Sequence, residues 1–276
     1  MFTLNCKGKL LSLETPVVMG IINATPDSFY EGHLHKGVNA VLALADKMIN
    51  EGAAIIDVGG QSTRPGSERI EADEELSRVL PAIVAIAHRF PDTILSIDTY
   101  YSKVATEAVA AGVHIVNDIS AGTLDAEMIP AIGALKNVPY ICMHMKGTPQ
   151  DMQEHAHYDD VVREVLDFFI FKVETCRLAG ITDVIIDPGF GFAKTIEHNF
   201  LLLKELALFN MLNRPILVGL SRKATVYKTL GITAAEAING TTVLNTIALL
   251  NGANILRVHD VKEATEAVKL VQRCNN

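Results

Sequence analysis

The chain has 276 residues, 49% of them hydrophobic, and its 24 basic and 32 acidic residues give a formal net charge of −8. This length suits one large domain with a substantial core. The acidic balance argues against bulk affinity for nucleic acid or for an anionic membrane surface. No apolar stretch is long enough and free enough of charge to cross a bilayer, and no basic segment followed by an apolar block indicates a secretory signal. We therefore expect a cytoplasmic protein that binds neither nucleic acid nor membrane.

Short motifs exclude several classes of enzyme. Four cysteines, at positions 6, 142, 176 and 274, are scattered without a CxxC pair or a histidine partner, so reduced thiols are the expectation. No H-x-x-x-H or HExxH spacing indicates a zinc site. There is no GxSxG and no P-loop sequence either. The chemistry therefore has to come from another arrangement of residues.

The chain opens with a strand-turn-strand pattern and continues with repeated αβ units. Residues 2–14 predict a small β-hairpin turned around Lys7-Gly8-Lys9. Later, four helix-like stretches end at a glycine and restart as a strand, in MINEGAAIIDV, AVAAGVHIVND, CRLAGITDVIID and ALLNGANILRV. Glycine is typical there because a helix C-terminus often closes with a left-handed residue, which glycine adopts without steric cost.

Eight strands and eight helices follow from these patterns. The predicted strands lie near 17–22, 54–58, 94–97, 113–116, 139–143, 183–186, 215–219 and 254–258. The predicted helices cover 37–51, 73–89, 102–111, 125–135, 158–179, 196–208, 234–251 and 260–273. Their alternation predicts an α/β fold, a single (β/α)8 TIM barrel domain over residues 1–276 with a short N-terminal β-hairpin over residues 1–15. A doubly wound open sheet is the alternative.

Polar side chains stand where the predicted strands end. They are Asn23, Asp57, Asp98, Asn117, Asp187, Ser221 and His259. In a parallel barrel these ends converge on one rim, so residues far apart in the sequence share one cup. Three longer loops, 23–36, 59–72 and 144–157, follow strands on that rim, where barrel enzymes carry mobile catalytic loops. The arrangement predicts an active site.

Two of these loops offer ligands for a cation and for phosphate. An amide oxygen at a strand end, such as that of Asn23, suits a hard cation without adding charge, although the TPDS sequence after it is also typical of an ordinary turn. The glycine-rich run 59–66 lets backbone approach a ligand closely, and Arg64 within it offers a guanidinium fork for phosphate. Glycine-rich loops are common, so this run alone does not identify a phosphate site.

Three further strand ends carry a predicted heterocycle site. Asp98, Asn117 and Asp187 lie at the ends of neighbouring or near-neighbouring strands. An ionised carboxylate accepts two parallel N–H bonds, which suits an amino-pyrimidine or guanidine-like edge, and an Asn beside it both donates and accepts. The alternative is that Asp98 and Asp187 cap the helices that follow them.

Cationic and hydroxyl groups follow the last two strands. The sequence SRK at 221–223 comes after strand seven, and RVH at 257–259 comes after strand eight; barrels of this type habitually bind phosphate there. Screening over about 8 Å at physiological salt lets such a local cluster outweigh distant surface carboxylates. The alternative is ordinary solvated surface charge. His144, after strand five, is a further candidate for the cup.

Taken in order, the motifs resemble those of the dihydropteroate synthase family of pterin-binding barrels in folate biosynthesis. The similarity covers essentially the whole chain, through MGIINATPDSFYEG, GGQSTRPGS, SIDTYYSKVA, VNDISAG, CMHMKGTPQDMQ, DPGFGFAKT, LSRKA and LRVHDV. The resemblance implies condensation of (7,8-dihydropterin-6-yl)methyl diphosphate with p-aminobenzoate, to give 7,8-dihydropteroate and diphosphate. It also implies Mg²⁺ as a cofactor and a homodimer.

The resemblance assigns roles to the residues that match the family motifs. The implied pterin-binding residues are Thr63, Asp98, Asn117, Ile119, Met143, Asp187, Phe192 and Lys223. The implied diphosphate-binding residues are Arg64, Arg257 and His259, with Mg²⁺ bound at Asn23. The implied p-aminobenzoate-binding residues are Phe29, Thr63, Pro65, Ser221 and Lys223. The implied catalytic residues are Asp27, Arg64 and Lys223.

The sequence departs from the family pattern at Gln61, where Glu is usual, and at Ala24, which is often Val. Gln61 removes a negative charge beside Thr63 and Arg64, which affects the hydrogen bonding of that loop and not the reaction. Two other functions stay open: a related pterin-dependent methyltransferase barrel and a non-catalytic pterin-binding protein. A methyltransferase has no diphosphate to receive, so the SRK, RVHD and STRPG motifs disfavour it. The retained loop residues disfavour a protein without turnover.

Overall fold

Strands and helices alternate along the described part of the chain. The computed structural model describes residues 2–24, 34–62, 66–67 and 69–275. The strands are β1 (Thr3–Cys6), β2 (Lys9–Ser12), β3 (Val17–Asn23), β4 (Ile55–Gly59), β5 (Ile94–Asp98), β6 (Ile115–Asp118), β7 (Tyr140–Met143), β8 (Val184–Asp187), β9 (Leu217–Val218) and β10 (Ile255–Val258). The helices are α1 (Leu34–Asn50), α2 (Ala72–Arg89), α3 (Ser102–Ala110), α4 (Met128–Ala134), α5 (Val161–Leu178), α6 (Ile196–Lys204), a 3₁₀ helix (Leu206–Leu212), α7 (Ala224–Leu230), α8 (Ile238–Leu250) and α9 (Val261–Asn275).

Strands β3 to β10 form one parallel sheet that curves round until its edges meet. The strand order is β8-β7-β6-β5-β4-β3-β10-β9. Ile186 in β8 forms a parallel bridge with Ile216, just before β9, and the Ile186 N–H donates to the Pro215 carbonyl at 2.9 Å. Because this contact joins the two edge strands, the fold is a (β/α)8 TIM barrel and the open-sheet alternative is excluded.

The barrel strands are covered on both faces. Every residue of β4, β6, β7 and β8 is buried, which explains why each of these strands begins with consecutive apolar residues and not with an alternating pattern. Each helix packs an apolar stripe on the barrel; in α2 the stripe includes Val79, Ile83 and Ile86. Within the described residues, no helix combines the length and apolar character that a bilayer span requires.

The recurring helix-glycine-strand phrase is confirmed in its conformation. Gly52, Gly112, Gly180 and Gly252 have φ angles of 102°, 117°, 88° and 96°. Residues with a Cβ rarely adopt this region. Each glycine therefore ends a helix of the barrel wall and turns the chain into the next strand.

The N-terminal hairpin covers the amino-terminal end of the barrel. Leu4, Cys6 and Leu13 are buried in one cluster with the first residues of the barrel strands, Met19, Ile55, Ile94, Ile115, Ile141, Ile185, Leu217 and Ile255. Lys7 Nζ also donates to the Val109 carbonyl at 2.6 Å. The hairpin therefore fills this end with side chains, and the polar cup lies at the opposite end.

Shortening Leu4 is expected to destabilise the whole barrel. The side chain is 2% exposed, so Leu4→Ala removes buried methyl groups and leaves a cavity, which costs about 2–5 kcal/mol. The free energy of unfolding in urea measures this loss. Leu10→Ala is the matched control, because Leu10 lies on the same hairpin and is 73% exposed. Equal losses in the two variants would mean that the hairpin does not contribute to the core.

The helix boundaries differ from the prediction around residue 230. Helix α7 was not predicted, and the helix predicted at 234–251 begins only at Ile238. Helix α7 has seven residues, too few to show a helical period, and it contains the β-branched Thr225 and Val226, which are poor helix formers. The helix predicted from 158 begins instead after Asp160, whose side chain accepts the Val162 and Arg163 N–H groups.

Candidate active site

Three of the predicted strand-end residues, Asn23, Asp98 and Asn117, follow one another around the rim, with Gly59 between the first two. Asn23 is paired with Gly59, Gly59 with Asp98, and Asp98 with Asn117 across β3, β4, β5 and β6. Met143 is paired with Asp187 on β7 and β8. Asn117 is paired with Ile141, so the pair of Met143 and Asp187 lies two residues further along its strands. All of these residues lie at the carboxyl ends of parallel strands and therefore surround one cup.

Arg257 connects three strands at the floor of this cup. Its Nε donates to Asp57 Oδ2 at 2.6 Å, and its Nη2 donates to Asp98 Oδ2 at 2.5 Å. Asn117 Nδ2 donates to the same Asp57 oxygen at 3.1 Å. The guanidinium therefore neutralises two carboxylates that are otherwise buried, and the group acts as one charged network. The sequence predicts that Asp57 lies at a strand end but does not predict a role for it.

The network shifts the protonation equilibria of its members. Burial raises the pKa of Asp98 to about 7, with Arg257 opposing the shift and Asp57 reinforcing it. Burial also disfavours the charged form of Arg257, but Asp57 and Asp98 outweigh it and raise the pKa of the guanidinium. Within the described residues, the second oxygen of Asp57, Oδ1, is buried without a hydrogen-bond partner. A positive ligand group or a donor facing the cup would lower the cost of these charges.

Asp187 faces the cup from the next sector of the rim. One of its oxygens accepts the Gly189 N–H at 2.8 Å. Burial raises the pKa of Asp187, and the nearby Lys223 and the Gly189 N–H partly offset this. The capping alternative is wrong for Asp187, because Thr195 caps α6.

The capping alternative is also wrong for Asp98. The helix that follows, α3, begins after Tyr101 without a side-chain cap. The Ser102 N–H at its start is bound by Asp125 at 2.7 Å. Neither candidate carboxylate is therefore used to begin a helix, and both are left for the cup.

Lys223 reaches the cup from the loop after β9. Its Nζ donates to the Phe190 carbonyl at 2.5 Å and lies 4.7 Å from the centre of the Phe192 ring. Burial lowers the pKa of Lys223 to about 8, while Asp187 and Asp98 favour its charged form and Arg257 opposes it. Lys223 therefore forms one wall of the cup, with its ammonium group against an aromatic ring and beside carboxylates.

The structure brings together only some of the residues that follow the last two strands. Ser221 Oγ lies 3.0 Å from His259 Nδ1 and accepts the His259 N–H at 3.2 Å. Arg222, with a φ of 53°, points elsewhere: its guanidinium binds both oxygens of Asp260 at 2.8 and 2.7 Å. It also donates to the Ala234 and Ala235 carbonyls. Arg222 therefore links the two loops, and its guanidinium is not available to bind an anion.

The remaining predicted residues divide into two groups. Ile119 and Met143 are buried beside the polar strand ends, where an aromatic ligand would be sandwiched by apolar surface. The other residues lie outside the described part of the chain, so their predicted roles stay predictions; they are Asp27, Phe29, Thr63, Arg64 and Pro65.

Gln61, the departure from the family pattern, is buried at the base of the loop after β4. Its Nε2 donates to the Tyr100 hydroxyl, and its Oε1 accepts the Ile70 N–H at 3.4 Å. Both ends of the amide therefore have partners. The substitution keeps the two ends of this loop tied together without adding a buried charge.

The donor set is compatible with Mg²⁺ held mainly by a substrate. The described residues contain no group of three or more His, Cys, Asp or Glu side chains that could hold a metal by themselves. Asn23 offers one neutral amide oxygen at the rim, at the exposed end of β3. Mg²⁺ dehydrates reluctantly and is often bound by one or two protein oxygens together with phosphate oxygens. The residues fit such a site.

These features define a barrel with an acidic and amide sector adjoining a cationic sector, a cup suited to a polar heterocycle that carries an anionic group. Residues 19–259 match the family model described as pterin binding enzyme. The dihydropteroate synthase of Escherichia coli (strain K12) is 44% identical over 272 residues, covering 96% of this chain and 94% of that protein. The chain belongs to the dihydropteroate synthase family of pterin-binding enzymes.

Solved structures agree with this assignment. A Yersinia pestis dihydropteroate synthase, solved in complex with a sulfonamide drug, has a TM-score of 0.93 and 40% identity, over 99% of each chain. A Xanthomonas albilineans dihydropteroate synthase with 4-aminobenzoic acid has a TM-score of 0.91 and 38% identity, over 99% of this chain and 98% of that one. The same enzyme in complex with 7,8-dihydropteroate has a TM-score of 0.87 and 34% identity, over 99% of this chain and 98% of that one.

Proposed function

We propose that the protein condenses (7,8-dihydropterin-6-yl)methyl diphosphate with p-aminobenzoate to give 7,8-dihydropteroate and diphosphate. The observation that carries the proposal is the cup, in which Asp98, Asn117 and Asp187 share the rim with Lys223, Arg257 and His259. The relatives solved with 4-aminobenzoic acid and with 7,8-dihydropteroate support the choice of substrates. A cup with only the acidic sector would suit a pterin but not a leaving diphosphate.

The acidic sector suits the pterin ring. The pterin has an amino-pyrimidine edge with adjacent N–H donors, and a carboxylate such as Asp187 accepts two of them in parallel. Asn117 and Asp98 complete recognition of the ring polar atoms. Ile119 and Met143 supply apolar surface for its faces. This arrangement favours binding of a flat ring with donors on one edge. Ligands that leave a buried carboxylate unpaired bind more weakly.

The cationic sector suits the leaving group. As the C–O bond to diphosphate breaks, the electron-rich pterin shares the positive charge at the methylene carbon, and Arg257, His259 and Ser221 stabilise the departing anion. Mg²⁺, when bound, would supply further charge neutralisation at the diphosphate oxygens. The aromatic amine of p-aminobenzoate is already a nucleophile and attacks the cation, losing a proton as the C–N bond forms. No activated Ser or Cys is needed for this SN1-like displacement.

Incubation of the purified protein with both substrates and Mg²⁺ tests the proposal. We expect dihydropteroate and diphosphate in equal amounts, identified by mass spectrometry and phosphate analysis. Omitting p-aminobenzoate should abolish dihydropteroate. A related methyltransferase would form no dihydropteroate and release no diphosphate from this mixture, because the mixture contains no methyl donor. A non-catalytic binding protein would bind the pterin without any product, and either result would contradict the proposal.

We also propose that the protein acts in the cytoplasm as a homodimer. Helix α8 buries Leu244, Ala248 and Leu249 on the barrel but exposes Val243 and Leu250 on its other face, at 51% and 59%. An apolar stripe of this kind on a barrel helix suits a second copy of the chain.

A single charge on this stripe is expected to dissociate the dimer. In Val243→Asp the new carboxylate would have to be buried without a partner, so sedimentation velocity at micromolar concentration should show a dimer for the wild type and a monomer for the variant. Glu236→Gln, on the segment before α8, is the control and should remain a dimer. A wild-type monomer at these concentrations would contradict the proposal.

A further inference from the structure

The loop between β8 and α6 contains a buried lysine that the proposed reaction leaves unexplained. Lys194 is 3% exposed, although burying an ammonium group is costly unless it is fully hydrogen-bonded. Burial lowers the pKa of Lys194 well below its usual range, while Asp187 favours the charged form. If the residue only filled space there, a Met or Leu would fill it at a lower free-energy cost of burial.

Lys194 Nζ has three close acceptors, which match the three donors of an ammonium group. They are His144 Nδ1 at 2.9 Å, the Phe192 carbonyl at 3.0 Å and the Gly189 carbonyl at 3.1 Å. His144 follows β7, so the contact joins two neighbouring sectors of the rim. His144 itself does not face the cup as predicted, because its ring packs edge-on against Phe168 with centroids 4.8 Å apart.

These bonds fix a loop that directly contacts Lys223. The Phe192 N–H donates to the Gly189 carbonyl at 3.1 Å, closing a turn. The turn presents the Phe190 carbonyl to Lys223 Nζ and the Phe192 ring to the same ammonium.

The turn has little freedom to move. Gly189 has a φ of 71°, and a Cβ there would lie 2.0 Å from the His144 carbonyl oxygen. The backbone of the loop therefore lies against the end of β7, and the hydrogen bonds of Lys194 hold it there.

We propose that Lys194 is a positioning residue for the condensation: it holds the 189–192 turn in the geometry that aims Lys223 and Phe192 into the cup. It does not touch the reacting atoms. Its effect is carried by the Phe190 carbonyl and the Phe192 ring. The inference rests on the proposed function, because Lys194 would act on the kcat/KM with which the site condenses p-aminobenzoate and the pterin ester.

A double-mutant cycle between Lys194 and Lys223 tests the proposal. Lys194→Met should lower kcat/KM about 10- to 100-fold, since small misplacements in an active site have effects of this size. In a Lys223→Met background the same change should have an effect of less than about threefold, because the contact through which Lys194 acts is already gone. Lys172→Met is the matched control, because Lys172 is a half-buried lysine on α5 that donates to the Ala121 carbonyl in the turn after β6. It should leave kcat/KM unchanged.

A purely structural role would give a different pattern. Lys194→Met would then lower the melting temperature while leaving kcat/KM per folded molecule unchanged, or it would cost the same factor in both backgrounds; either result would overturn the proposal. A wild type without turnover would overturn the proposed function instead. In that case a crystal structure of Lys194→Met still decides the inference: loss of the contact between Lys223 Nζ and the Phe190 carbonyl supports it, and an unchanged contact overturns it.

Discussion

Asp187→Asn is expected to weaken binding of the pterin diphosphate roughly 30- to 150-fold, the equivalent of about 2–3 kcal/mol for a charged hydrogen bond replaced by a mismatched one. The carboxylate of Asp187 accepts from the ligand with both oxygens in our account. The amide of Asn can accept with only one atom and sets an NH₂ group against a ligand donor. Its remaining oxygen can still accept the Gly189 N–H, so the loop need not rearrange. Titration calorimetry with the pterin diphosphate measures the change.

A neighbouring buried carboxylate provides the control for this variant. Asp118 follows Asn117 in β6, and its Oδ2 accepts from both the Tyr140 hydroxyl and the Gly122 N–H at 2.7 Å each. As the next residue of the strand it faces away from the cup. Asp118→Asn should lose stability, about 1–3 kcal/mol, and keep wild-type affinity for the pterin. Similar affinity losses in the two variants would show that general disturbance of the barrel, and not recognition at Asp187, weakens binding.

Arg257→Met is expected to lower the free energy of unfolding by about 3–5 kcal/mol, because it leaves two buried carboxylates without their counterion. The loss should depend on pH. In the native wild type the pKa of Asp98 is about 7, whereas an Asp in an unfolded chain has a pKa of about 3.9. Native Asp98 therefore holds a proton at pH 5 more readily than the unfolded chain does, and removing Arg257 raises its pKa further.

The sign of the pH effect follows from this difference. Above pH 7 a charged Asp98 has to be accommodated without Arg257, while at pH 5 protonation neutralises it, so the deficit of Arg257→Met should be larger at pH 8 than at pH 5. Urea unfolding at the two pH values measures it. Arg177→Met is the control, because Arg177 pairs with Glu174 on an exposed helix face and its loss should change little at either pH. A deficit that grows as the pH falls would contradict the assigned network.

The sequence was sufficient for the barrel because local chemistry dictates it. The consecutive apolar residues with which β4, β6, β7 and β8 begin indicate strands buried on both faces. The glycines at the ends of the barrel-wall helices show where each helix stops. Helix α7 escaped prediction because one short helix has no period to read. These are properties of a few neighbouring residues, so a single sequence carries them.

The candidate site was only partly predictable because its contacts join distant segments. That Asp98, Asn117 and Asp187 share a rim follows from strand order alone. That Arg257 reaches Asp57, 200 residues away in sequence, depends on side-chain directions that no spacing reveals. The same holds for Arg222, which looks like an anion ligand in sequence but turns to Asp260 because its backbone is left-handed. Lys194 lies within the motif DPGFGFAKT, but the sequence gives it no role, since its partner His144 lies 50 residues earlier.

A crystal structure of the protein with the pterin-methyl diphosphate, collected without p-aminobenzoate, shows whether the cup holds both parts of this substrate. We expect the amino-pyrimidine edge of the pterin within hydrogen-bond distance of Asp187 and Asn117. We also expect the diphosphate against Arg257 and His259. A pterin bound with this edge towards solvent, or a diphosphate on another face of the barrel, would contradict these expectations.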